Sequence, residues 1–182
     1  MMSRPGEYHV QIDTPRCLLR RLVAEDVEWL TDVIADPAVD CFMGFMGDEL
    51  SSREEARQHA EAMILSNPHR EFGYWAIEDK ETGVMHGWTA LGKLRPRWGS
   101  SDEIALCYVL RRASWGQGLA TEAAGQLVRR ALEDRWLDRI MAVIAIGNTA
   151  SKRVLEKIGM HAVENPNPLG PKEFEYFLID AP

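Results

Sequence analysis

Arg111-Arg112-Ala113-Ser114-Trp115-Gly116-Gln117-Gly118-Leu119-Ala120-Thr121-Glu122 is the stretch around which this chain is organised. An apolar run, Ile104 to Leu110, precedes it and reads as a strand; Leu119 to Leu132 follows it with helical periodicity. A glycine-bearing turn between strand and helix aims several backbone N–H groups, and the positive end of a helix dipole, at one point. Such a point binds an anion, most often a phosphate. An ATP-type loop would need a lysine in the turn, and there is none. A dinucleotide fingerprint would need a third glycine where Thr121 stands, and an acidic residue near Ile146-Gly147-Asn148.

On either side of the turn the chain alternates strand and helix signals. Ile12 to Leu22 reads as an entry segment and first strand, with Pro15 near its start. Asp26 to Ala35 is helical by period, and Asp36-Pro37 ends it. Phe42 to Asp48 is an apolar, glycine-containing loop suited to a substrate cover or to packing. Ser51 and Ser52, with Glu54 and Glu55 three residues on, start a helix that runs to about Ser66. Tyr74–Glu78 and Val84–Leu94 form a hairpin, Arg95 to Ser101 is a loop, and Asp102–Leu110 is the strand before the turn. Arg139–Ile146 is apolar enough for a central strand covered on both faces. Thr149–Ile158 is a helix, and Met160–Val163 and Phe174–Ile179 are the last strands. The pattern gives a single α/β (α+β) domain over residues 1–182.

Composition narrows the function. A net charge of −7 argues against nucleic acid as partner. No apolar run reaches the ~20 residues of a membrane span, and the N-terminus lacks a signal-peptide core, so a cytoplasmic protein is expected. Three scattered cysteines, Cys17, Cys41 and Cys107, suit neither a disulfide framework nor a metal site. A homodimer is left open.

Two further segments give the anion an identity. Trp115 to Ala123 resembles the acyl-CoA turn W-G-x-G-x-A-T-E-A of the GNAT acetyltransferases, in their RimJ/RimL-like N-acetyltransferase branch. Asn148 to Met160 resembles that branch's N-x-x-S-x-x-x-L-E-K-x-G-F, and Thr14-Pro15-Arg16-x-x-Leu19-Arg20 its opening. The resemblance implies a mixed, mainly antiparallel twisted sheet flanked by about four helices. It implies acetyl-CoA as co-substrate and direct transfer of acetyl to a primary amine. Val109, Leu110 and Arg111 would pair with the pantetheine arm, in a gap between the strands ending at Leu110 and Ile146. Gly116, Gln117, Gly118, Leu119, Ala120 and Thr121 would hold the pyrophosphate beside Trp115, with Arg112 and Arg153 for the outer phosphates. Asn148 would bond the arm's amide, or simply cap the next helix, with Ser151 in that helix's first turn.

The strand before the turn departs from the branch. Where Glu-Ile-Gly-Tyr-x-Leu is usual, this chain reads Ala105-Leu106-Cys107-Tyr108-Val109-Leu110. Ala105 replaces the usual base. Glu103 lies about 7 Å back along the same strand face and is the candidate substitute. Ser151 and Tyr176 are the candidate proton donors to the leaving thiolate; Tyr108 is expected to pack in the core, and His86 is set outside the catalytic group. An α-amine, with a pKa near ~8, is far easier to neutralise than a lysine near ~10.4. A protein or peptide N-terminus is therefore the expected acceptor. The alternatives are a small-molecule amine or a non-catalytic acyl-CoA-binding module.

Overall fold

The computed structural model describes residues 11–39, 52–66, 72–94, 103–166 and 172–182. Eight strands form one sheet in the order β1-β2-β3-β4-β5-β6-β8-β7. They are β1 (Ile12–Asp13), β2 (Cys17–Arg21), β3 (Gly73–Asp79), β4 (Met85–Lys93), β5 (Ile104–Leu110), β6 (Arg139–Ala145), β7 (His161–Val163) and β8 (Phe174–Asp180). Four α-helices lie wholly within the described residues: α1 (Val27–Ile34), α2 (Arg53–Leu65), α3 (Leu119–Glu133) and α4 (Thr149–Lys157). Every neighbouring pair of strands is antiparallel except β5 with β6.

The mainly antiparallel sheet with four helices agrees with the expectation. One element differs: the expected single first strand is two, folded back on each other around Thr14-Pro15-Arg16. Pro15 cannot donate to a ladder, and the Thr14 amide bonds the Cys17 carbonyl instead, at 2.9 Å. The 42–48 loop, Ser51 and the 95–101 loop lie outside the described residues. Ser52 caps α2, accepting from the Glu55 amide at 3.2 Å.

Alternation along the strands sorts the core into two layers. On one face Leu106, Leu110, Ile140, Ala142, Ile144 and Phe177 pack with Leu119, Ala123 and Leu127 of α3 and Leu155 of α4. On the other, Ala76, Trp88 and Ala90 pack with Leu30, Val33 and Ile34 of α1 and Ala56, Ala60 and Met63 of α2. Trp75 and Trp88 thus bury themselves on opposite faces of the same hairpin.

Two irregularities flank β5. On its β4 side, Ile77 pairs with Gly87 and Glu78 with Met85, so His86 is the extra residue of a β-bulge. Gly87 has φ +151°, and a Cβ there would stand 2.1 Å from the Val109 carbonyl oxygen. Only glycine admits so close an approach of β4 to β5. On its β6 side, β5 has one ladder position, Ala105 opposite Met141. Beyond it the two parallel strands separate.

Candidate active site

The separation leaves β5 backbone from Leu106 onward without ladder partners on the β6 side. A cavity of about 480 Å³ opens there. Its wall includes Leu106 to Leu110 of β5, Ala142 to Ile144 of β6, the turn residues Ser114, Trp115, Gly116 and Gly118, and the start of α3. Asn148, Ser151, Arg153 and Lys157 close it from α4. Val39 reaches it from the α1–α2 layer, so the cavity passes between the two faces of the sheet.

The turn has the geometry an anion needs. Gly116 and Gly118 have φ +73° and +77°, a left-handed conformation that β-carbon-bearing residues resist. They lead into α3, a fifteen-residue helix whose first amides have no intrahelical partner and whose dipole is positive at that end. Trp115 stays 41% exposed, and its indole N–H donates to the Leu110 carbonyl at 2.7 Å. That bond ties the turn to the end of β5.

A second tie comes from the N-terminal strands. The Glu122 carboxylate accepts from the Arg16 amide at 2.8 Å and from Arg16 Nε at 2.7 Å, and lies 2.6 Å from the Thr14 hydroxyl. Arg16 Nη1 donates to the Gln117 carbonyl at 3.0 Å. Burial alone would raise the Glu122 carboxyl; the Thr14 and Arg16 hydrogen bonds outweigh it and hold the pKa below its ordinary value. The Thr14-Pro15-Arg16 motif and the Thr121-Glu122 motif are thus two halves of one clamp.

Of the residues expected at the coenzyme, Val109, Leu110, Trp115, Gly116, Gly118, Leu119, Ala120, Thr121, Asn148, Ser151 and Arg153 line the cavity. Arg111, Arg112 and Gln117 are not in its wall. Arg111 turns back to donate from Nε to Ser114 Oγ at 3.1 Å, and Gln117 donates to the Ala113 carbonyl at 2.9 Å. Asn148 caps α4 through Oδ1, which accepts from the Ser151 amide at 3.1 Å. The cap uses the carbonyl oxygen, and the NH₂ is the group left for a ligand.

The three expected catalytic residues fall in different places. Ser151 is in the wall. Tyr176 is buried on the other face of the sheet, in a cluster with Leu94 and Met141, and is not in the wall. Glu103 precedes β5 and also lies outside the wall; its carbonyl accepts from the Leu94 amide at 2.7 Å. It sits beyond the closed end of the gap, which Ala105 and Met141 define.

Tyr108 has a contact that the sequence reading did not give it. It is packed against the α3–α4 layer, as expected, but its ring also faces the gap. Its hydroxyl oxygen lies 2.6 Å from Ser151 Oγ and 3.1 Å from the Ser151 carbonyl. Burial raises its pKa and the Ser151 hydrogen bond pulls it partly back, so the group is a neutral phenol at physiological pH. Beside it, burial pushes the Cys107 thiol up to about 12. Strand alternation put Tyr108 on the face opposite Glu103; the structure shows that α4 meets it there.

Comparison with known proteins identifies the class. Residues 16–161 match the family model described as acetyltransferase (GNAT) domain. The chain belongs to the GNAT acetyltransferases, enzymes that use acetyl-CoA as co-substrate. It is 31% identical over 153 residues to the uncharacterized protein YkkB of Bacillus subtilis (strain 168), covering 81% of this chain and 83% of that one. The GNAT-family acetyltransferase structure from Bacillus anthracis shares the fold at TM-score 0.74 and 20% identity, over 94% and 99% of the two chains. RimL, described as a ribosomal L7/L12 alpha-N-protein acetyltransferase in complex with coenzyme A, shares it at TM-score 0.73 and 15% identity, over 93% and 97%. That neighbour shows that the fold is shared.

Proposed function

We propose that this N-acetyltransferase acts on the N-terminal α-amine of a protein or peptide. The observation that carries the reading is the character of the cavity wall. On the α1–α2 side it presents Val39, Cys107 and Val109, and its charged side chains among the described residues are the cations Arg153 and Lys157. Such a wall favours a neutral amine over an ammonium or a polycation. At pH 7, deprotonating an α-amine of pKa near ~8 costs about 1.4 kcal/mol, against about 4.6 kcal/mol for a lysine near ~10.4. An enzyme with alanine in place of the usual base can bear the first cost more readily than the second.

Acetyl-CoA supplies an activated acetyl group on a thioester. The chain's residues bind and orient it. The unladdered edge of β5 at Val109 and Leu110 offers backbone groups to the pantetheine amides. The turn from Gly116 to Thr121 offers N–H groups to the pyrophosphate, and Arg153 reaches the outer phosphate. The amine nitrogen bonds the acetyl carbon, the carbon–sulfur bond breaks, and the sulfur takes a proton. Ser151 passes that proton and regains one from solvent; its hydrogen is free to face the gap when the Tyr108 hydroxyl donates to Ser151 Oγ rather than to the Ser151 carbonyl. The proton lost by the amine goes to solvent, and Glu103, outside the cavity wall, is the carboxylate to test as a relay. Cys107, held protonated, is a poor nucleophile, which favours direct transfer over an acyl-cysteine route.

The test is thiol release from acetyl-CoA across three acceptor panels: peptides with free N-termini, peptides with a blocked N-terminus and an internal lysine, and small amines. Turnover concentrated on free N-termini is expected, and turnover confined to lysine or to small amines would sink the reading. Glu103→Gln separates the two uses of that carboxylate. A base gives a lowered kcat that recovers as pH rises, whereas a solvated strand end gives no change.

A further inference from the structure

His86, the bulged residue of β4, is 9% exposed. The bulge aims it under the anion turn. Its Nδ1 lies 2.8 Å from Ser114 Oγ, and its Nε2 lies 3.4 Å from Asp79 Oδ2. Ser114 is 1% exposed, sits in the short helical turn Arg112–Ser114, and contributes to the cavity wall. Its oxygen also receives Arg111 Nε, and the Arg111 amide donates to the His86 carbonyl at 2.9 Å. A continuous polar chain therefore runs from Asp79 through His86 and Ser114 to Arg111.

Proton accounting gives this chain two states. With His86 neutral, Nε2–H points to Asp79 and the Ser114 hydroxyl donates to Nδ1. With His86 protonated, Nδ1–H donates to Ser114, whose own hydrogen is released toward other acceptors. The protonated state also adds a positive charge beneath the turn. We infer that His86, held by Asp79 and acting through Ser114, is a positioning residue of the coenzyme site whose protonation strengthens acetyl-CoA binding. The inference rests on the reading that the coenzyme's phosphates lie at the Gly116–Thr121 turn.

The surrounding charges allow this. Asp79 faces Nε2 from the end of β3 and stays ionised, since the Thr82 hydroxyl and amide hold its pKa down at about 2. Arg111 faces Ser114 from the exit of β5. Arg16, Lys80 and Glu122 surround Cys17, the β2 partner of Asp79. A ligand that brings phosphate charge to the turn adds attraction for the imidazolium. By linkage, His86 then takes up protons when the ligand binds.

Calorimetric titration of acetyl-CoA into the full chain at pH 6.5, in two buffers of different ionisation enthalpy, measures that uptake. The wild type is expected to take up several tenths of a proton more than His86→Gln. The ligand's own phosphate titration is common to both proteins and cancels in the difference. The ratio of wild-type to variant affinity is expected to rise roughly three- to tenfold between pH 7.5 and pH 5.5, an attraction of about 0.7–1.4 kcal/mol. Equal proton uptake, or an affinity ratio constant with pH, overturns the inference and leaves the coenzyme reading intact. Absence of acetyl-CoA binding at every pH overturns both. Should the variant fail to fold, ¹³C-histidine titration of the wild type decides the matter. Acetyl-CoA is expected to change the His86 resonances in a pH-dependent way, and resonances that the ligand leaves unmoved at every pH refute it.

Discussion

Replacing Tyr108 by phenylalanine removes one oxygen and tests the central contact of the gap. That oxygen touches Ser151 twice, at 2.6 Å to Oγ and 3.1 Å to the carbonyl. Loss of one partly buried hydrogen bond, with the partner left near solvent, costs about 1–2 kcal/mol of stability. For a domain of this length that is a fall in Tm of roughly 2–8 °C. The effect on turnover is separable from this. If Tyr108 fixes the Ser151 hydroxyl, its loss lets that hydroxyl rotate among three staggered positions and bond elsewhere. An orientational penalty of about 1.4 kcal/mol corresponds to a tenfold lower kcat. Ser151→Ala, which removes the proposed donor, should lower kcat by roughly a hundredfold.

The decisive measurement is the double variant. Steady-state thiol release with saturating acetyl-CoA gives kcat for each protein. If Tyr108 acts only through Ser151, the double variant is no slower than Ser151→Ala alone, because groups that act as a unit are not additive. Multiplied effects, roughly a thousandfold together, would refute the coupling. So would a Tyr108→Phe enzyme with wild-type kcat. The KM for acetyl-CoA is expected to shift by less than about threefold in Tyr108→Phe, since no phosphate contact is assigned to the phenol.

Two further outcomes follow from the frame around the site. Gly87→Ala places a carbon 2.1 Å from the Val109 carbonyl oxygen and 2.8 Å from Leu110 Cα, so the backbone must move; a loss of about 3 kcal/mol or more is expected, read as a Tm fall of roughly 6–12 °C, and a change under about 2 °C would show that the approach is relieved cheaply. Asp26 lies buried between Arg20, the Trp29 indole N–H and the Val23 amide; burial alone would raise its pKa, but those three outweigh it and lower it. Its contribution is therefore complete above the unfolded carboxylate value near ~4 and fades as pH falls through the lower folded value. Denaturant titration of Asp26→Asn should show a deficit of roughly 3 kcal/mol at pH 7 that shrinks below pH ~4, and a deficit independent of pH would refute the linkage.

Much of the frame was readable before the structure because local signals and burial agreed. The run from Leu119 to Leu132 has an apolar stripe, and it folds as α3 with that stripe on the sheet. The turn was legible for the same reason: its glycines sit where a strand must turn into a helix. Pairing across the sheet was not legible. Nothing in Ile104–Leu110 or Arg139–Ala145 states that their ladder stops after a single position, because ladder length is set by twist and by what packs in the gap. Tyr108 was read as core, and it is core; its second role depends on α4 arriving beside it. Tyr176 carried a hydroxyl on a plausible strand, but register places it opposite Val143, on the face away from Ser151.

The same limit explains His86. A histidine on a regular strand alternates to one face or the other, and that alternation does not predict a contact with Ser114. The extra residue between Met85 and Gly87 breaks that alternation and turns the imidazole under the strand-to-helix turn. Bulge and gap are then two aspects of one device. The bulge holds β5 hard against β4, through a contact that only glycine allows. The divergence from β6 leaves the opposite edge of β5 unladdered. A strand fixed on one side and free on the other can present its backbone to a ligand without being drawn across by it. The Glu122–Arg16 clamp and the His86–Ser114 chain secure the turn at the end of that strand from two directions. A substitution in either should therefore act on coenzyme affinity before it acts on the transfer step, the reverse of the order expected for Ser151.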